Sequence, residues 1–259
     1  MAVKLSVNLN KVALLRNSRD THLPSVTQAA VTAIEQGADG ITVHPRPDQR
    51  HIRPDDVFAL AELLAAPQYQ NIEFNIEGNP YAGAEVNGYP GYMELVQSVQ
   101  PDQATLVPDD PAQLTSDHGW DLTQAPDRLA GAIETLKVAA ECRVSCFMDP
   151  VPEQLTLAKQ LGTDRIEFYT GPYADAYGTA EGDKVLAKFT TAAKHAADLG
   201  LGINAGHDLN QDNLASFCQA IPQLAEVSIG HAIISEALWL GLGETVKRYR
   251  TILDQRSTP

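Results

Sequence analysis

Eight short apolar runs, each separated from the next by residues with helical spacing, constrain this 259-residue chain more than any other feature. They are KLSVNLN at 4–10, GITVH at 40–44, IEFNIE at 72–77, ATLVP at 104–108, VSCFMD at 144–149, RIEFYT at 165–170, GINAGH at 202–207 and EVSIGH at 226–231. Each is rich in Val, Ile, Leu or Phe and bounded by Gly, Pro, Asp or Asn, which is strand chemistry. Between them Leu129, Ile133, Leu136 and Ala140 recur at helical spacing, as do Val185, Phe189, Ala192 and Ala196. Gly37, Gly162 and Gly200 each follow such a stretch, where a left-handed residue ends a helix. A Gly-x-Asp-x-strand pattern repeats in QGADGITVH (36–44) and LGTDRIEFYT (161–170), with LGLGINAGH (199–207) a looser copy.

Strand and helix alternating every ~25–40 residues, with no break in composition, predict a parallel sheet with crossover helices. Eight such units predict closure. The expected fold is α/β, a (β/α)8 TIM barrel with a few extra helices, formed by one domain spanning 1–259. No glycine-rich dinucleotide fingerprint follows the first run, which argues against an open doubly wound sheet.

Composition limits the partners. A net charge of −14 disfavours nucleic acid and anionic membranes, so any phosphate binding must be local. The apolar runs fall short of the ~20 residues of a membrane span, and MAVKLSVNLN reads as a strand rather than a leader, so a cytoplasmic protein is expected. Cys142, Cys146 and Cys218 are odd in number and lack a paired metal spacing; they are expected to be buried small apolar residues.

In a barrel, residues at the C-terminal ends of strands point into the mouth, where active sites sit. The chemically capable residues cluster there. Run 1 ends with Asn8, Asn10 and Lys11; run 2 ends with His44, followed by Arg46 and His51. Run 3 carries Glu73, Asn75 and Glu77 on one face, run 6 carries Glu167 and ends in Thr170, and runs 7 and 8 finish in Gly206-His207 and Gly230-His231. A glutamate inside an apolar strand is costly to bury without a partner or a function. The glycines suit close approach of backbone N–H groups to an anion. Arg16, Arg19, Arg46, Arg50 and Arg53 suggest a second anion site near runs 1 and 2. Two connections, 78–91 and 108–125, are long and rich in Gly, Pro and Asp; the second is a lid candidate.

VNLNKVALLRNSR (7–19), DGITVHPRPDQRHI (39–52), NIEFNIEGNP (71–80), IEFYTGPYA (166–174), NAGHDLN (204–210) and IGHAII (229–234) resemble, in order and spacing, the signature blocks of the pyridoxine 5′-phosphate synthase family. The resemblance runs from residue 4 to about residue 250. It implies a cytoplasmic homo-octamer that condenses two phosphorylated small molecules, 1-deoxy-D-xylulose 5-phosphate and 3-amino-2-oxopropyl phosphate, without metal or redox cofactor. The products are pyridoxine 5′-phosphate, inorganic phosphate and water. By motif, His44 and Glu73 take general-base positions, His207 a proton-donor position, and Glu167 that of a charge-stabilising carboxylate. Asn8, Asn10, Lys11 and Arg19 fall at substrate contacts near the first strand. Arg46, His51 and Thr115 match positions that hold deoxyxylulose phosphate, and Asp208, Gly230 and His231 those that hold the aminoketone phosphate. Where many members carry Asp-His, this chain has Asn10-Lys11, which replaces a titrating group by a fixed positive charge. On this reading a buried Glu73 has a raised pKa and abstracts a carbon-bound proton.

The residues alone leave two other readings open. One is a metal-dependent barrel hydrolase or isomerase with His44, His207, His231 and Glu73 as ligands. The other is a non-catalytic barrel that binds a phosphorylated metabolite.

Overall fold

The computed structural model describes residues 2–19 and 21–255; residues 1, 20 and 256–259 of the expected 1–259 domain lie outside them. Eight strands form a closed ring: β1 (Lys4–Asn8), β2 (Gly40–Val43), β3 (Glu73–Gly78), β4 (Gln103–Leu106), β5 (Arg143–Met148), β6 (Arg165–Phe168), β7 (Gly202–Ala205) and β8 (Leu224–Ile229). Each is parallel to its neighbours, and β8 returns to β1 through Lys4–Glu226 and Val7–Ile229. Every expected run holds a strand, but several strands stop earlier. β1 ends at Asn8 because its side-chain Oδ1 accepts the Asn10 N–H (3.0 Å) and turns the chain into a helix. β3 begins at Glu73, which is therefore its first residue rather than one near its end.

Alternation explains the ring. Leu5, Val7, Ile41, Val43, Ile76, Leu106, Val144 and Ile166 face outward and are fully buried under the helices. Each such side chain contributes about 1.5–3 kcal/mol. The alternate positions face the barrel interior and are mostly polar, with Gly40, Phe147 and Gly202 the exceptions. Ser6 and Thr42 share a hydroxyl contact of 2.7 Å, and Thr105 Oγ1 donates to Asn75 Oδ1 (3.0 Å). At the N-terminal end Glu73 pairs with Arg143 and lies 3.6 Å from Lys4, while Arg165 pairs with Glu226 at 3.4 Å.

The repeated aspartate has a structural task. Asp39, Asp102 and Asp164 accept the backbone N–H of Leu5 (2.8 Å), Phe74 (2.8 Å) and Val144 (3.0 Å), fixing the lower ends of β1, β3 and β5. Such bonds satisfy strand-end donors that would otherwise lack a partner.

Eleven α-helices are described: α1 (Asn10–Asn17), α2 (Val26–Glu35), α3 (Pro54–Leu64), α4 (Tyr92–Val99), α5 (Pro126–Ala139), α6 (Pro152–Gln160), α7 (Gly171–Ala176), α8 (Gly182–Asp198), α9 (Leu214–Ala220), α10 (His231–Leu240) and α11 (Leu242–Gln255). The helical spacings fall on α5 and α8, whose Leu129, Ile133, Leu136, Phe189, Ala192 and Ala196 are buried. Gly37, Gly162 and Gly200 follow α2, α6 and α8 with φ of 100°, 90° and 71°, as expected of helix ends. The extra helices α1, α7 and α10 all start just past the C-terminal end of a strand, so their N-termini ring the mouth. From α11, Arg250 reaches back to Asp39 (2.7 Å) and to the Val3 carbonyl (2.9 Å). The three cysteines are buried and free. No helix among the described residues is long and apolar enough to cross a membrane.

Candidate active site

A cavity of about 330 Å³ opens at the C-terminal ends of the strands. Asn8, Asn10, Lys11, His44, Arg46, His51, Thr115, Glu167, His207, Asp208, Gly230 and His231 all line it. Two expected site residues do not. Glu73 is a correction: it sits level with Gly40, four residues below His44, and its carboxylate is taken by Arg143 and Lys4 at the opposite end of the barrel. Arg19 is exposed on the turn after α1 and is not part of the lining.

Glu77 is the carboxylate that β3 delivers to the mouth. Strand periodicity puts it on the same face as Glu73, two inward positions higher. Its Oε2 accepts from Asn8 Nδ2 (3.3 Å) and lies 3.7 Å from His44 Nδ1. Burial pushes its pKa up to about 7, with His44 opposing and Asp109 adding to the rise. Glu167 reaches the same cavity from β6. Burial, reinforced by Glu77 and Glu226, raises its pKa well above the carboxylate range. Its Oε2 is buried without a hydrogen-bond partner, which is costly in a protein interior.

The histidines differ. Asn10 Oδ1 accepts the His44 backbone N–H (2.9 Å), which fixes the residue's main chain, while the buried ring lies between Asp109, 2.9 Å from Nε2, and Glu77, 3.7 Å from Nδ1. His51 Nδ1 accepts the Ile52 N–H (2.9 Å), which leaves Nε2 as the donor. Burial first, then His44, Arg46, Lys11 and Arg50, pushes the His51 pKa down to about 2, so the ring stays neutral. His207 stands beside Phe147 and Tyr169, with ring centroids 6.2 and 5.4 Å away. Its Nε2 is 3.4 Å from Thr115 Oγ1, and burial lowers its pKa despite Asp208 and Asp109. His231, the first residue of α10, is exposed, with Nε2 3.5 Å from Ser235.

The glycines act partly for another reason than anion approach. A Cβ at Gly206 would lie 1.8 Å from the Ser228 carbonyl, and one at Gly230 2.9 Å from Asn8 Cβ. Both let the ends of β7, β8 and β1 press together. The arginines divide as well. Arg46 and Arg50 line the cavity, whereas Arg16 pairs with Asp56 and Arg53 starts α3 as its N-terminal flanking residue.

The long loop after β4 is rooted on the barrel. Trp120 Nε1 donates to the Leu106 carbonyl (2.8 Å), and Arg50 binds the Pro111 and Gln113 carbonyls. Its middle brings Thr115 and Ser116 to the cavity. A second hollow of about 230 Å³, lined by Tyr81, Glu85, Asp109 and Asp110, shares His44, Arg46 and Arg50 with the first. Asp109 and Glu77 are the site residues that motif reasoning missed. The metal-binding alternative loses its ligand set, because Glu73 is not brought to His44, His207 and His231.

A family model described as pyridoxal phosphate biosynthesis protein PdxJ matches residues 5–255. Relatives named pyridoxine 5′-phosphate synthase include one from Xanthomonas campestris pv. campestris (strain B100), 53% identical over 98% of this chain and 97% of its own. Another, from Xanthomonas oryzae pv. oryzae (strain MAFF 311018), is 54% identical over the same shares. A third, from Xylella fastidiosa (strain 9a5c), is 52% identical over 97% of this chain and 95% of its own. Among solved structures, a tryptophan synthase from M. tuberculosis superposes with a TM-score of 0.63 at 14% identity, covering 97% of this chain and 93% of that one. Phosphoribosylanthranilate isomerase from Thermotoga maritima gives 0.56 at 12%, covering 98% and 99%. At such identities the likeness concerns the barrel alone.

Proposed function

The chain belongs to the PdxJ family of pyridoxal phosphate biosynthesis proteins and is an enzyme that condenses 1-deoxy-D-xylulose 5-phosphate with 3-amino-2-oxopropyl phosphate; we propose that it does so in the rim cavity, with Glu77 rather than Glu73 as the carboxylate base. The products are pyridoxine 5′-phosphate, inorganic phosphate and water. The reaction needs an imine between the amine and the ketone, then loss of water and phosphate, then ring closure. Each step moves protons on and off carbon and oxygen, which suits groups that titrate near neutrality.

The observation that carries the assignment is the pairing of two buried carboxyls, Glu77 and Glu167, with His44 and His207 around one cavity. Glu77, with a pKa of about 7, exchanges a proton with carbon and passes it to His44. His207, kept neutral by burial, donates through Thr115 or directly to a departing oxygen. Glu167 stays protonated and offers its unpartnered oxygen to positive charge that develops at the imine nitrogen.

Two anion sites flank these groups. Arg46, the Nε2–H of neutral His51 and Thr115 hold the deoxyxylulose phosphate. The first turn of α10, whose N–H groups have no carbonyl within the helix, holds the aminoketone phosphate at Gly230 and His231, with the Asp208 backbone beside it. Asn8 and Asn10 orient Glu77 and His44, and Lys11 adds a fixed positive charge between the two sites. Holding both substrates in register supplies a large share of the acceleration, up to ~7–11 kcal/mol. The 108–125 loop keeps water from the imine.

The enzyme is cytoplasmic, takes no nucleic acid and works as a homo-octamer. Exposed Leu14 and Leu15 on α1 and Leu238 and Trp239 on α10 support self-association, since α1 packs on α10. Light scattering of the purified protein gives the oligomer size, and Trp239→Ser is expected to shift it downward. The central assay mixes protein with both substrates and follows pyridoxine 5′-phosphate by absorbance. Glu77→Gln is expected to abolish turnover; full turnover would remove Glu77 from the mechanism.

A further inference from the structure

The second hollow is lined by a buried carboxylate, Asp109, that the proton chemistry above leaves unused. Asp109 Oδ2 lies 2.9 Å from His44 Nε2 and 2.8 Å from Arg46 Nη2, yet it is not aligned with either N–H for a hydrogen bond. Burial alone would raise the Asp109 pKa. His44, Arg46 and Ser116 more than offset this and hold it well below the carboxylate range, so it is a fixed anion. Its place in the chain matters as much. Asp109 sits at the start of the loop that carries Thr115 and Ser116 over the cavity, three residues past the last residue of β4.

His44 stands between two carboxyls of opposite character. On Nε2 is ionised Asp109; on Nδ1, 3.7 Å away, is Glu77, which keeps its proton up to about pH 7. The other charged or titratable groups placed around this ring are Arg46, Arg50, Lys11, neutral His51 and His207. A neutral imidazole carries one proton, and its place is decided by which nitrogen faces an acceptor. An ionised carboxylate against Nε2 keeps the proton there and leaves Nδ1 as the basic atom, facing Glu77 and the cavity.

We propose that Asp109 is the positioning residue for His44: it fixes the Nε2–H tautomer from the loop side of the site, so that the ring is ready to exchange protons with Glu77 only when the 108–125 loop is in place. The proposal rests on the reading of His44 and Glu77 as the proton-transfer pair. The balance is simple. A proton taken from substrate carbon by the Glu77 carboxylate moves to Nδ1 and regenerates the carboxylate. The resulting imidazolium has its charge matched by Asp109, and the same proton leaves to an oxygen of the substrate, so no external acid or oxidant is required. Poor alignment in the resting arrangement fits this role, because hydrogen bonds of a catalytic group often tighten only as the site closes.

The test compares Asp109→Asn, Asp109→Ala and Asp109→Glu in the full-length enzyme, with His44→Gln and Glu77→Gln as references. Asp109→Asn and Asp109→Ala are expected to lower kcat about 100-fold while KM for each substrate stays within about threefold. Asp109→Glu is expected to restore at least a tenth of wild-type kcat. Nitrogen-15 NMR of histidine-labelled protein should show His44 as the Nε2–H tautomer in the wild type and a mixture in Asp109→Ala. Wild-type turnover in Asp109→Asn and Asp109→Ala overturns the proposal, as does a loss confined to KM or a tautomer that Asp109→Ala leaves unchanged. If His44→Gln or Glu77→Gln remains fully active, the underlying assignment of the pair fails instead. If those two are inactive while the Asp109 variants turn over normally, only the positioning role falls.

Discussion

The two ends of the barrel bury the same kinds of side chain and do opposite things with them. At the N-terminal end Glu73 and Glu226 face Arg143, Arg165 and Lys4, and Arg143 also donates to Gln103 (3.0 Å). At the C-terminal end Glu77 and Glu167 meet no lysine or arginine among the described ion pairs, and one Glu167 oxygen has no hydrogen-bond partner at all. Glu73 beside the Arg143 guanidinium is a strut, whereas Glu77 and Glu167, desolvated without a paired lysine or arginine, keep their protons and can trade them with a ligand. Glu226, buried enough to keep a proton beside Arg165, faces no cavity in which to trade it. An offset of four positions along β3, from Glu73 to Glu77, separates these two uses. Residue type and burial therefore do not mark a functional carboxylate. The charges that face it do.

The largest effect that can break this contrast is catalytic. Glu77→Gln should lower kcat by about 100-fold or more, whereas Glu73→Gln should leave kcat per folded molecule within about twofold. A dead Glu73→Gln protein with normal thermal stability would reverse the two roles. The same pair should invert in stability. Glu73→Gln strands Arg143 and is expected to cost about 1–3 kcal/mol in urea unfolding, and Glu77→Gln close to none.

Glu167→Gln comes next, with a fall in kcat of about 10–100-fold and no loss of Tm, since the amide nitrogen replaces a buried oxygen that has no hydrogen bond to lose. The pH dependence of stability then sharpens the comparison. Glu77 titrates near 4.5 when unfolded and near 7 when folded, so the folded state binds the extra proton between those values. Its contribution is fully present below about pH 4.5 and is lost as pH rises through about 7, a change on the order of 3 kcal/mol. Denaturant unfolding at a series of pH values should show this decline in the wild type and a flatter line in Glu77→Gln. Glu226, raised by burial to about 8, should extend the decline upward, and Glu226→Gln should remove that upper part. The smallest expected effect concerns the loop root. A Cβ at Gly119 would lie 2.2 Å from the Asp149 nitrogen, so Gly119→Ala must lift the loop, and KM for deoxyxylulose phosphate should rise about tenfold.

Much of this was legible in the sequence, and the gaps have physical causes. The eight strands could be read because their outward faces are apolar without exception along β1, β2 and β6, while polar residues fill the interior. The mouth residues of β1, β2, β7 and β8 could be read because they sit at strand ends marked by Asn, His or Gly. Glu73 was misplaced because a period of two gives the face of a residue but not its height. The signal for height was present: Gly78-Asn79-Pro80 ends the strand and puts Glu77, not Glu73, beside it. Asp109 carried no such mark. In PDDPAQ it is one acid among several, and only the three-dimensional approach of the β4 loop to His44 distinguishes it. Arg16 looked like an anion ligand because residue type near the first strand cannot show that Asp56 takes its guanidinium, and Arg53 because sequence proximity to Arg46 cannot show that it flanks the start of α3.

Arg250 carries a consequence for how the molecule is made. It joins the last described helix to Asp39 and the Val3 carbonyl, and Asp39 in turn holds Leu5 at the base of the first strand. α11 and β1 thus meet at one clasp. A nascent chain still threaded through the ribosome at α11 can line up its strands in sequence, but it lacks the tie that secures the first of them. The first strand is therefore fully secured only once α11 has folded against it.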